Sequence, residues 1–312
     1  MSSAPRILTQ LPIQLLDPVA RAHPEVDIVQ IPTEGAIENG IEGEILLTYT
    51  WGAPNIAEVF ERGIKWVHAY GTGVNTFPFD LLGNLPLTCS RGASAPAISE
   101  WVIAALLAFE KQLPESWIEA PVENWNFAKL GSLQGRKLAL IGFGGIAQAI
   151  AHRALPFGMR VEALRRTEAK SPVEGVRIVP SMEEVLSGAD HVVIAAPETP
   201  LTTRFINAAA FGWMKSGVHI VNIARGGLVD QDALKRALDA ERIGRATLDC
   251  VTPEPLPEDH WMYTHPRVRL SPHISWSAPE SHLGLVDTFV ENVGRYLRGE
   301  QFESLVDPDQ GY

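Results

Sequence analysis

Three polar residues, a cation, a carboxylate and an imidazole, stand in separate motifs in the second half of the chain. Arg225 lies in the sequence NIARGG, Glu254 in PEPLP and His273 in SPHIS. An arginine can hold a carboxylate by paired hydrogen bonds, and an imidazole can deliver a proton while a neighbouring carboxylate keeps it protonated. Together with a hydride donor, these three groups suit the reduction of a 2-keto acid.

A glycine-rich sequence upstream of these motifs is typical of a dinucleotide-binding loop. GFGGIA begins at Gly142, follows an apolar strand pattern and precedes a helix pattern. The first glycine allows a tight turn, the second lets the backbone approach a pyrophosphate, and the small third position, here Ala147, lets the helix pack on the strand. The helix N-terminus offers N–H groups to the phosphates. We therefore expect a nicotinamide dinucleotide to bind here, at Gly142, Gly144, Gly145 and Ile146.

The end of the next strand decides which dinucleotide is preferred. NAD-binding versions of the loop carry an acidic residue about 20 residues further on. Here the strand ends at Arg165, Arg166 and Thr167, whereas Glu162 lies inside the strand, from where its side chain should not reach a ribose. Two guanidinium groups and a hydroxyl suit a 2′-phosphate. We predict NADP(H) as the preferred cofactor, with NAD(H) possible; the alternative interpretation is a solvated basic turn.

Short apolar runs alternate with helical patterns along the chain, which predicts parallel sheets covered by helices on both faces. Strands are predicted at residues 6–10, 26–31, 44–49, 64–70 and 85–89, and again at 137–142, 160–164, 176–178, 191–195, 219–223, 245–249 and 268–270. Helices are predicted at residues 56–62, 78–82, 97–111 and 283–298, besides the one after the glycine loop. The helix at 97–111 is apolar nearly all round, so we expect it to be buried.

The position of the glycine loop, in the middle of the chain, indicates two domains. We predict an α/β fold with two doubly wound parallel-sheet domains. A Rossmann NAD(P)-binding domain at residues 96–283 would be inserted into a flavodoxin-like substrate domain formed by residues 1–95 and 284–312. The two domains would close on each other to form the site. Arg225, Glu254 and His273 each follow a predicted strand, and ligands of such sheets bind beyond the carboxyl ends of the strands.

Composition limits the partners of the chain. Its 26 basic and 37 acidic residues give a net charge of −11, which disfavours binding to nucleic acid or to an anionic membrane. No apolar run reaches the roughly 18 residues of a membrane span, and no signal peptide is seen, so cytoplasm is the default expectation. Cys89 and Cys250 have no metal-ligand spacing, and we expect neither a metal nor a disulfide. His68, His191 and His219 lie in or beside predicted strands, which favours packing roles.

Several long motifs, in order, resemble the D-isomer-specific 2-hydroxyacid dehydrogenase family, which includes glyoxylate/hydroxypyruvate reductases and D-lactate and phosphoglycerate dehydrogenases. The resemblance runs from about residue 64 to 292. It is carried by GFGGIA at Gly142, APETPLTT at Ala196, VNIARGGLVDQDAL at Val221, LDCVTPEPLP at Leu248 and SPHIS at Ser271. It implies an NAD(P)-dependent enzyme that reduces small 2-keto acids, of the glyoxylate or hydroxypyruvate type, to D-2-hydroxy acids.

The resemblance also implies roles for single residues. Arg225 would bind the substrate carboxylate and keto oxygen. His273 would be the general acid in reduction, and Glu254 would hydrogen-bond the imidazole and raise its pKa. Backbone amides of the loop at Gly71, Thr72 and Gly73 would hold the carboxylate. Asp249 would meet the nicotinamide carboxamide, and further cofactor contacts would come from Pro197, Thr202 and Ile223.

Some features of the resemblance leave alternatives open. Asn75 stands where the family usually has Asp, and Ala147 replaces the third glycine, but neither undermines catalysis. Trp51 and Trp276 are candidates for the wall of the substrate pocket or, equally, packing residues. The helix at 97–111 and the segment after it resemble the family's dimer-forming region, so we expect a homodimer.

A binding module is the alternative function. A dehydrogenase-like corepressor that senses a dinucleotide can keep the same three polar residues, and it predicts weak turnover of every keto acid. A serine hydrolase is disfavoured because the chain has no GxSxG motif. The β-hydroxyacid dehydrogenases are disfavoured because they carry the glycine loop at the N-terminus and use a lysine.

Overall fold

The computed structural model describes residues 5–123, 125–126, 129–166, 170–308 and 310–311. The chain divides into two compact units, a first unit of Met1–Ser94 with Ala278–Tyr312 and a second unit of Ala95–Ser277. Each contains one parallel sheet with helices, so the predicted α/β fold with two parallel-sheet units is confirmed. The domain boundaries given above, and the functions assigned to the two domains, stay predictions.

The helices and strands are numbered in chain order. The strands are β1 (Arg6–Thr9), β2 (Asp27–Gln30), β3 (Ile45–Tyr49), β4 (Trp66–Tyr70), β5 (Leu87–Cys89), β6 (Lys137–Ile141), β7 (Arg160–Leu164), β8 (Val176–Val179), β9 (His191–Ile194), β10 (Val218–Asn222), β11 (Ile243–Leu248) and β12 (Val268–Leu270). The helices are α1 (Asp17–Ala22), α2 (Ile56–Phe60), α3 (Phe79–Leu82), α4 (Ala95–Glu110), α5 (Gly145–Ala154), α6 (Met182–Leu186), α7 (Ala208–Trp213), α8 (Gln231–Asp239) and α9 (Pro279–Arg298).

Every predicted strand is present, and no strand end differs from its prediction by more than two residues. Four short helices, α1, α6, α7 and α8, lie outside the predicted ones. Three of them begin at a side chain that caps the helix: Ser181 accepts from Glu184 N–H, Asn207 from Ala209 N–H and Asp230 from Ala233 N–H. Such capping residues are the sequence signal that would have located these helices.

The first unit has a sheet in the order β2-β1-β3-β4-β5, with all neighbouring strands parallel. Alternate residues of its central strands enter two cores on opposite faces. Ile45 and Leu47 pack with Trp66 on one face, and Leu46 packs with Val67 on the other. This burial on both faces explains why the strands read as continuous apolar runs.

His68 lies fully buried in β4 of the first unit. Its Nδ1 is 2.7 Å from Thr88 Oγ1, and its Nε2 is 3.1 Å from Ser90 Oγ. Burial lowers the pKa of His68 to about 3, so the imidazole is neutral near pH 7. His191 and His219 of the second unit are also fully buried. The prediction that these three histidines pack in the interior is confirmed.

The second unit has a parallel sheet in the order β12-β11-β10-β9-β6-β7-β8. Residues of β6 alternate between two cores: Ala139 and Ile141 face one, and Leu138 and Leu140 face the other. From β6 the chain continues to β7 and β8 on one side of the sheet, and β9 to β12 then follow in order on the other side. The carboxyl end of β6 is therefore a topological switch point. In open α/β sheets a crevice for a ligand forms at such a point.

The helix α4 is largely buried, as its apolar composition predicted, and only a narrow stripe of it is exposed. Ile98, Val102 and Leu106 lie in the core of the second unit, in the cluster that includes α5, whereas Ala104 is exposed and Trp101 is half-buried. Among the described residues, no helix is both long and apolar enough to cross a bilayer.

Candidate active site

The predicted site residues of the second unit follow the carboxyl ends of its strands. Gly142 follows β6, Arg165 follows β7, Arg225 follows β10, Glu254 follows β11 and His273 follows β12. Since all strands of this sheet are parallel, the loops that carry these residues lie at the same edge of the sheet. This is the edge at which doubly wound sheets bind ligands.

The structure brings His273 and Glu254 together. His273 Nδ1 is 2.8 Å from Glu254 Oε2, and the Val251 N–H donates to Glu254 Oε1 at 2.9 Å. Partial burial raises the pKa of the Glu254 carboxyl, but the hydrogen bonds from His273 and Val251 outweigh burial, so its pKa lies below the ordinary value. The ionised carboxylate only accepts hydrogen bonds, so Nδ1 carries a proton in this contact.

Arg225 lies in extended backbone at the end of β10, and its side chain is half-buried. Its Nη1 donates to the Ala224 carbonyl at 2.7 Å. The loop is fixed by Asn222, which donates to the carbonyls of Arg225 at 2.9 Å and of Cys250 at 3.2 Å. Asn222 lies outside the predicted site residues, although its place as the last strand residue before Arg225 is a usable signal. It ties the loop after β10 to the loop after β11.

Gly226 lets these two loops touch. A Cβ at this position would collide with the carbonyl group of Val251, so no side chain fits there. The loop with Arg225 therefore packs directly on the segment between β11 and Glu254.

Asp249 is almost fully buried at the end of β11, with 1% of its surface exposed. Its carboxylate accepts hydrogen bonds from the loop that carries His273. Ser271 Oγ and Ile274 N–H donate to Oδ1 at 2.6 and 2.9 Å, and Ser275 N–H donates to Oδ2 at 2.9 Å. The contact with a nicotinamide carboxamide stays a prediction.

The glycine loop has the backbone that a pyrophosphate needs. Gly142 has φ +91°, and a Cβ there would lie 2.8 Å from backbone atoms of Ala195 and Ala196, so only glycine fits. A Cβ at Gly144, in contrast, would meet nothing within 4 Å, so the backbone is open beside the first turn of α5. Ala147 is buried in that helix. An open glycine backbone at a helix N-terminus fits the phosphates of a dinucleotide.

The strand β7 holds its acidic residue inside the sheet. Glu162 forms ion pairs with Lys137 at 2.5 Å and with Arg177 at 2.6 Å, and these cations lower the pKa of its carboxyl despite partial burial. The carboxylate therefore forms ion pairs away from the strand end, as its position inside the strand predicted. Arg165, which is half-buried, and Arg166, which is exposed, follow directly after the strand. Thr167 lies outside the described residues.

The loop after β9 is closed by a threonine. Thr202 Oγ1 donates to the Pro197 carbonyl at 2.8 Å and accepts from the Thr199 N–H at 2.8 Å. Pro197 is exposed, and Ile223, at the end of the neighbouring β10, is almost fully buried. The structure thus places these three predicted cofactor residues at the same edge as the glycine loop, and their contacts with a cofactor stay predictions.

The loop of Gly71, Thr72 and Gly73 follows β4 in the first unit. Ser90 N–H donates to the Gly71 carbonyl at 2.7 Å, and Thr72 Oγ1 donates to the Ser90 carbonyl at 3.2 Å, so this loop is fastened to the residue after β5. Trp51, which is 58% exposed, stacks on Tyr49 with 4.8 Å between the ring centroids.

Trp276 lies in the second unit, where its indole N–H donates to the His273 carbonyl at 2.9 Å. This contact fixes the backbone of His273, so Trp276 has a structural role next to the imidazole. Whether Trp276 or Trp51 also lines a substrate pocket stays a prediction.

In the part of the chain that the structure describes, one group of side chains lies close enough to hold a metal ion. The ligand atoms of Cys250, Glu254 and His273 are within 4.8 Å of one another. Burial, and then the charge of Asp249, raise the pKa of the Cys250 thiol, which keeps the thiol protonated and makes it a poor metal ligand. The absence of a metal stays a prediction.

Comparison with known proteins identifies a matching family profile and several related proteins. Residues 103–275 match the sequence profile of the NAD binding domain of the D-isomer specific 2-hydroxyacid dehydrogenases. A hydroxypyruvate reductase of Blautia hydrogenotrophica is 30% identical over 274 residues, which are 82% of this chain and 84% of that protein. A chloroplastic D-3-phosphoglycerate dehydrogenase of Arabidopsis thaliana is 33% identical over 260 residues. These are 78% of this chain but 40% of the plant protein, so the chain spans less than half of that relative.

A solved structure is similar over the whole chain. It is a D-isomer specific 2-hydroxyacid dehydrogenase from Xanthobacter autotrophicus Py2, crystallised in complex with NADPH and MES. Its TM-score is 0.86 with 25% sequence identity, and the match covers 99% of this chain and 100% of that one.

Proposed function

Because the chain belongs to the D-isomer specific 2-hydroxyacid dehydrogenase family, we propose that it reduces small 2-keto acids to D-2-hydroxy acids with a nicotinamide dinucleotide. The observation that carries this proposal is the 2.8 Å contact of His273 with Glu254, at the sheet edge where Arg225 also lies. It gives a proton donor and a carboxylate-binding cation in one unit. The relative named hydroxypyruvate reductase supports glyoxylate or hydroxypyruvate as the type of substrate.

Substrate binding is assigned to a guanidinium and to backbone amides. Arg225 binds the substrate carboxylate and polarises the keto oxygen, since a guanidinium offers several donors in a fixed fork. In the first unit, the loop of Gly71, Thr72 and Gly73 donates backbone N–H groups to a carboxylate. The contacts of this loop with Ser90 support a rigid backbone for that task.

Proton transfer is assigned to His273 and Glu254. The imidazolium donates the proton of Nε2 to the keto oxygen during reduction, and the neutral imidazole takes it back during oxidation. Glu254 accepts from Nδ1, which orients the ring and stabilises its positive charge. The lowered pKa of the Glu254 carboxyl supports this role, because the carboxylate stays ionised at neutral pH.

A bound dinucleotide supplies the hydride that reduces the keto carbon. Gly142, Gly144, Gly145 and Ile146 would hold its pyrophosphate at the N-terminus of α5. Asp249, Pro197, Thr202 and Ile223 are further proposed contacts, as they lie at the same edge. For Asp249 a contact with the cofactor competes with the three hydrogen bonds that its carboxylate already accepts.

NADPH is the proposed preference. Arg165 and Arg166, with Thr167, would bind a 2′-phosphate, whereas the acidic residue of β7, Glu162, is held by Lys137 and Arg177. A ribose hydroxyl of NADH would find no carboxylate from that strand. The similar structure from Xanthobacter autotrophicus, which is described as a complex with NADPH, supports this preference.

A homodimer is the proposed assembly. The half-exposed side of α4 carries Trp101, and the following segment exposes Trp117 and Trp125 by 71% and 67% of their surface. Exposed aromatic side chains are typical of a protein interface. Light scattering coupled to size exclusion tests this assembly: the Trp117→Glu, Trp125→Glu double variant is expected to be monomeric, and a monomeric unmodified chain would contradict the proposal.

The test of the proposed function is the initial rate of NADPH and, separately, of NADH oxidation with glyoxylate, hydroxypyruvate, pyruvate and a bulkier aryl keto acid. Turnover of the small acids, with NADPH preferred, is expected. His273→Gln is the control: it should lose turnover by about 10²- to 10⁴-fold and still bind the dinucleotide. Dinucleotide binding without turnover of any acid by the unmodified chain would contradict the proposal and favour the corepressor-like binding module.

A further inference from the structure

The loop that carries His273 is anchored to one buried carboxylate. Asp249 accepts from Ser271 two residues before the histidine, and from the backbone of Ile274 and Ser275 directly after it. The three donors thus surround His273 on both sides along the chain. Since the Asp249 side chain is almost fully buried, these bonds form away from bulk water, where a carboxylate without donors would be costly.

The backbone of Asp249 adds to this anchor. His273 N–H donates to the Asp249 carbonyl at 3.0 Å, and Asp249 N–H donates to the Asn222 carbonyl at 2.9 Å. Asn222 also bonds the Arg225 carbonyl. Asp249 therefore lies in a continuous chain of hydrogen bonds from the loop of Arg225 to the loop of His273.

His273 itself has a backbone conformation that needs support. Its φ is +55°, in the left-handed region that residues other than glycine rarely adopt. Such a conformation persists where surrounding contacts hold it. The bonds from Ile274 and Ser275 to Asp249 act on the two residues that follow, so they hold the left-handed turn in place.

We propose that Asp249 is a positioning residue for His273. Its carboxylate holds residues 271–275 in the conformation that sets the imidazole against Glu254. The proposal rests on the proposed function, because it assigns a task to His273 as proton donor. It goes beyond the role that the resemblance implies for Asp249, which is a contact with the cofactor.

The variant that separates the two roles is Asp249→Asn. An amide keeps the size of the side chain but replaces one of the two accepting oxygens by a donating NH₂. Because Ile274 and Ser275 donate to different oxygens of Asp249, one of these two N–H groups then has no acceptor. We expect kcat for keto-acid reduction to fall by about 100-fold, as for other misplaced catalytic groups. The Kd for NADPH, from quenching of tryptophan fluorescence, should change by less than about threefold.

Hydrogen exchange gives a readout that needs no activity. In Asp249→Asn, the backbone amide of Ile274 or Ser275 that faces the NH₂ should exchange about tenfold faster, which corresponds to the loss of its hydrogen bond. Ser271→Ala is the milder variant, in case the first does not fold. It removes one donor and leaves Asp249 intact, so kcat should fall by about threefold with the Kd for NADPH unchanged. Ser277→Ala, at an exposed serine after the loop, is the control and should behave like the unmodified chain.

The opposite pattern overturns the proposal. If Asp249→Asn weakens NADPH binding by about tenfold or more while kcat and the exchange of Ile274 and Ser275 stay unchanged, Asp249 is a cofactor ligand and not a positioning residue. Normal exchange and normal kcat in Ser271→Ala would overturn it as well if Asp249→Asn does not fold. If the unmodified chain turns over no keto acid, the proposed function fails, and hydrogen exchange alone then decides whether Asp249 holds the loop.

Discussion

His273 Nδ1 lies 2.8 Å from Glu254 Oε2, although 19 positions separate the two residues in the chain. The contact forms because the strands that precede them, β11 and β12, are parallel neighbours with Leu248 opposite Leu270. Their carboxyl ends therefore lie side by side, and each residue follows within six positions of its strand. Val251 N–H fixes the second oxygen of the carboxylate, so its orientation is set by the same loop.

Replacing Glu254 by glutamine should slow reduction. The imidazolium of His273 is the proposed proton donor, and Glu254 accepts from its Nδ1. A neutral amide stabilises the imidazolium less than a carboxylate does, so in Glu254→Gln kcat should drop by about tenfold or more. In the unmodified chain the pKa of Glu254 lies below 4.5, so its carboxylate remains charged from neutral pH down to that value.

The measurement is kcat for hydroxypyruvate reduction at neutral pH, for the unmodified chain and for Glu254→Gln. An unchanged kcat in Glu254→Gln would show that Glu254 does not act on the proton donor.

Replacing Arg225 should affect binding and rate together. Arg225→Lys keeps the positive charge but loses the fork of donors, so kcat/KM should fall by about 10²-fold, and Arg225→Ala should cost more. Steady-state kinetics with glyoxylate give both constants. Arg236→Ala, at an exposed arginine of α8, is the control and should keep the original values. Near-normal kcat/KM in Arg225→Ala would remove Arg225 from the substrate site.

The preference for NADPH should reside in Arg165 and Arg166. Replacing both by glutamine removes two cations from the end of β7, so the KM for NADPH should rise by about tenfold or more while the KM for NADH stays nearly unchanged. Lys170→Gln, at an exposed lysine further along, is the matched control for the loss of surface charge. An equal rise for both cofactors would mean that the arginines do not recognise the 2′-phosphate.

The buried His68 should make the fold sensitive to acid. In the unfolded chain it takes up a proton below its ordinary pKa of 6.5, whereas burial keeps it neutral in the fold down to about pH 3. Stability attributed to His68 is therefore complete above pH 6.5 and is lost as pH falls from 6.5 towards 3. Each such histidine adds at most about 1.4 kcal/mol per pH unit to the slope of the unfolding free energy against pH. Burial also lowers the pKa of His219 well below 6.5, so it acts in the same direction.

Urea unfolding at pH 4.5, 5.5 and 6.5 measures this slope. His68→Gln should have a shallower slope than the unmodified chain, by up to about 1.4 kcal/mol per pH unit, even if its absolute stability is lower. His152→Gln, at an exposed position of α5, should leave the slope unchanged. A slope in His68→Gln equal to that of the unmodified chain would mean that His68 is not kept neutral by the fold.

Local pattern was enough to predict most of the fold. β6, with the sequence KLALI, is apolar after its first residue because both of its faces are covered, and GFGGIA after it has the glycines that a switch-point turn needs. The burial of α4 was predicted from its apolar composition, but composition does not say which stripe of the helix is left exposed. That depends on its packing against α5, which no local pattern contains.

The site was predictable where a motif carries the chemistry. Arg225, Glu254 and His273 stand out in sequence because their residue types suit one reaction. The hydrogen-bond partners of Asn222 and Asp249 could not be predicted, because they depend on which strands are neighbours and in which register. Asn222 and Asp249 hold the loops of the proposed catalytic residues, but their residue types alone do not reveal this role.

Transfer of deuterium tests the central claim most directly. Hydroxypyruvate is incubated with the protein and NADPH that carries deuterium at the transferred position of C4, and the product is analysed by chiral chromatography with mass detection. The proposed function predicts D-glycerate that carries one deuterium at C2, because the hydride goes to the keto carbon and the proton to the oxygen. Formation of the L isomer, or product without deuterium, would contradict it.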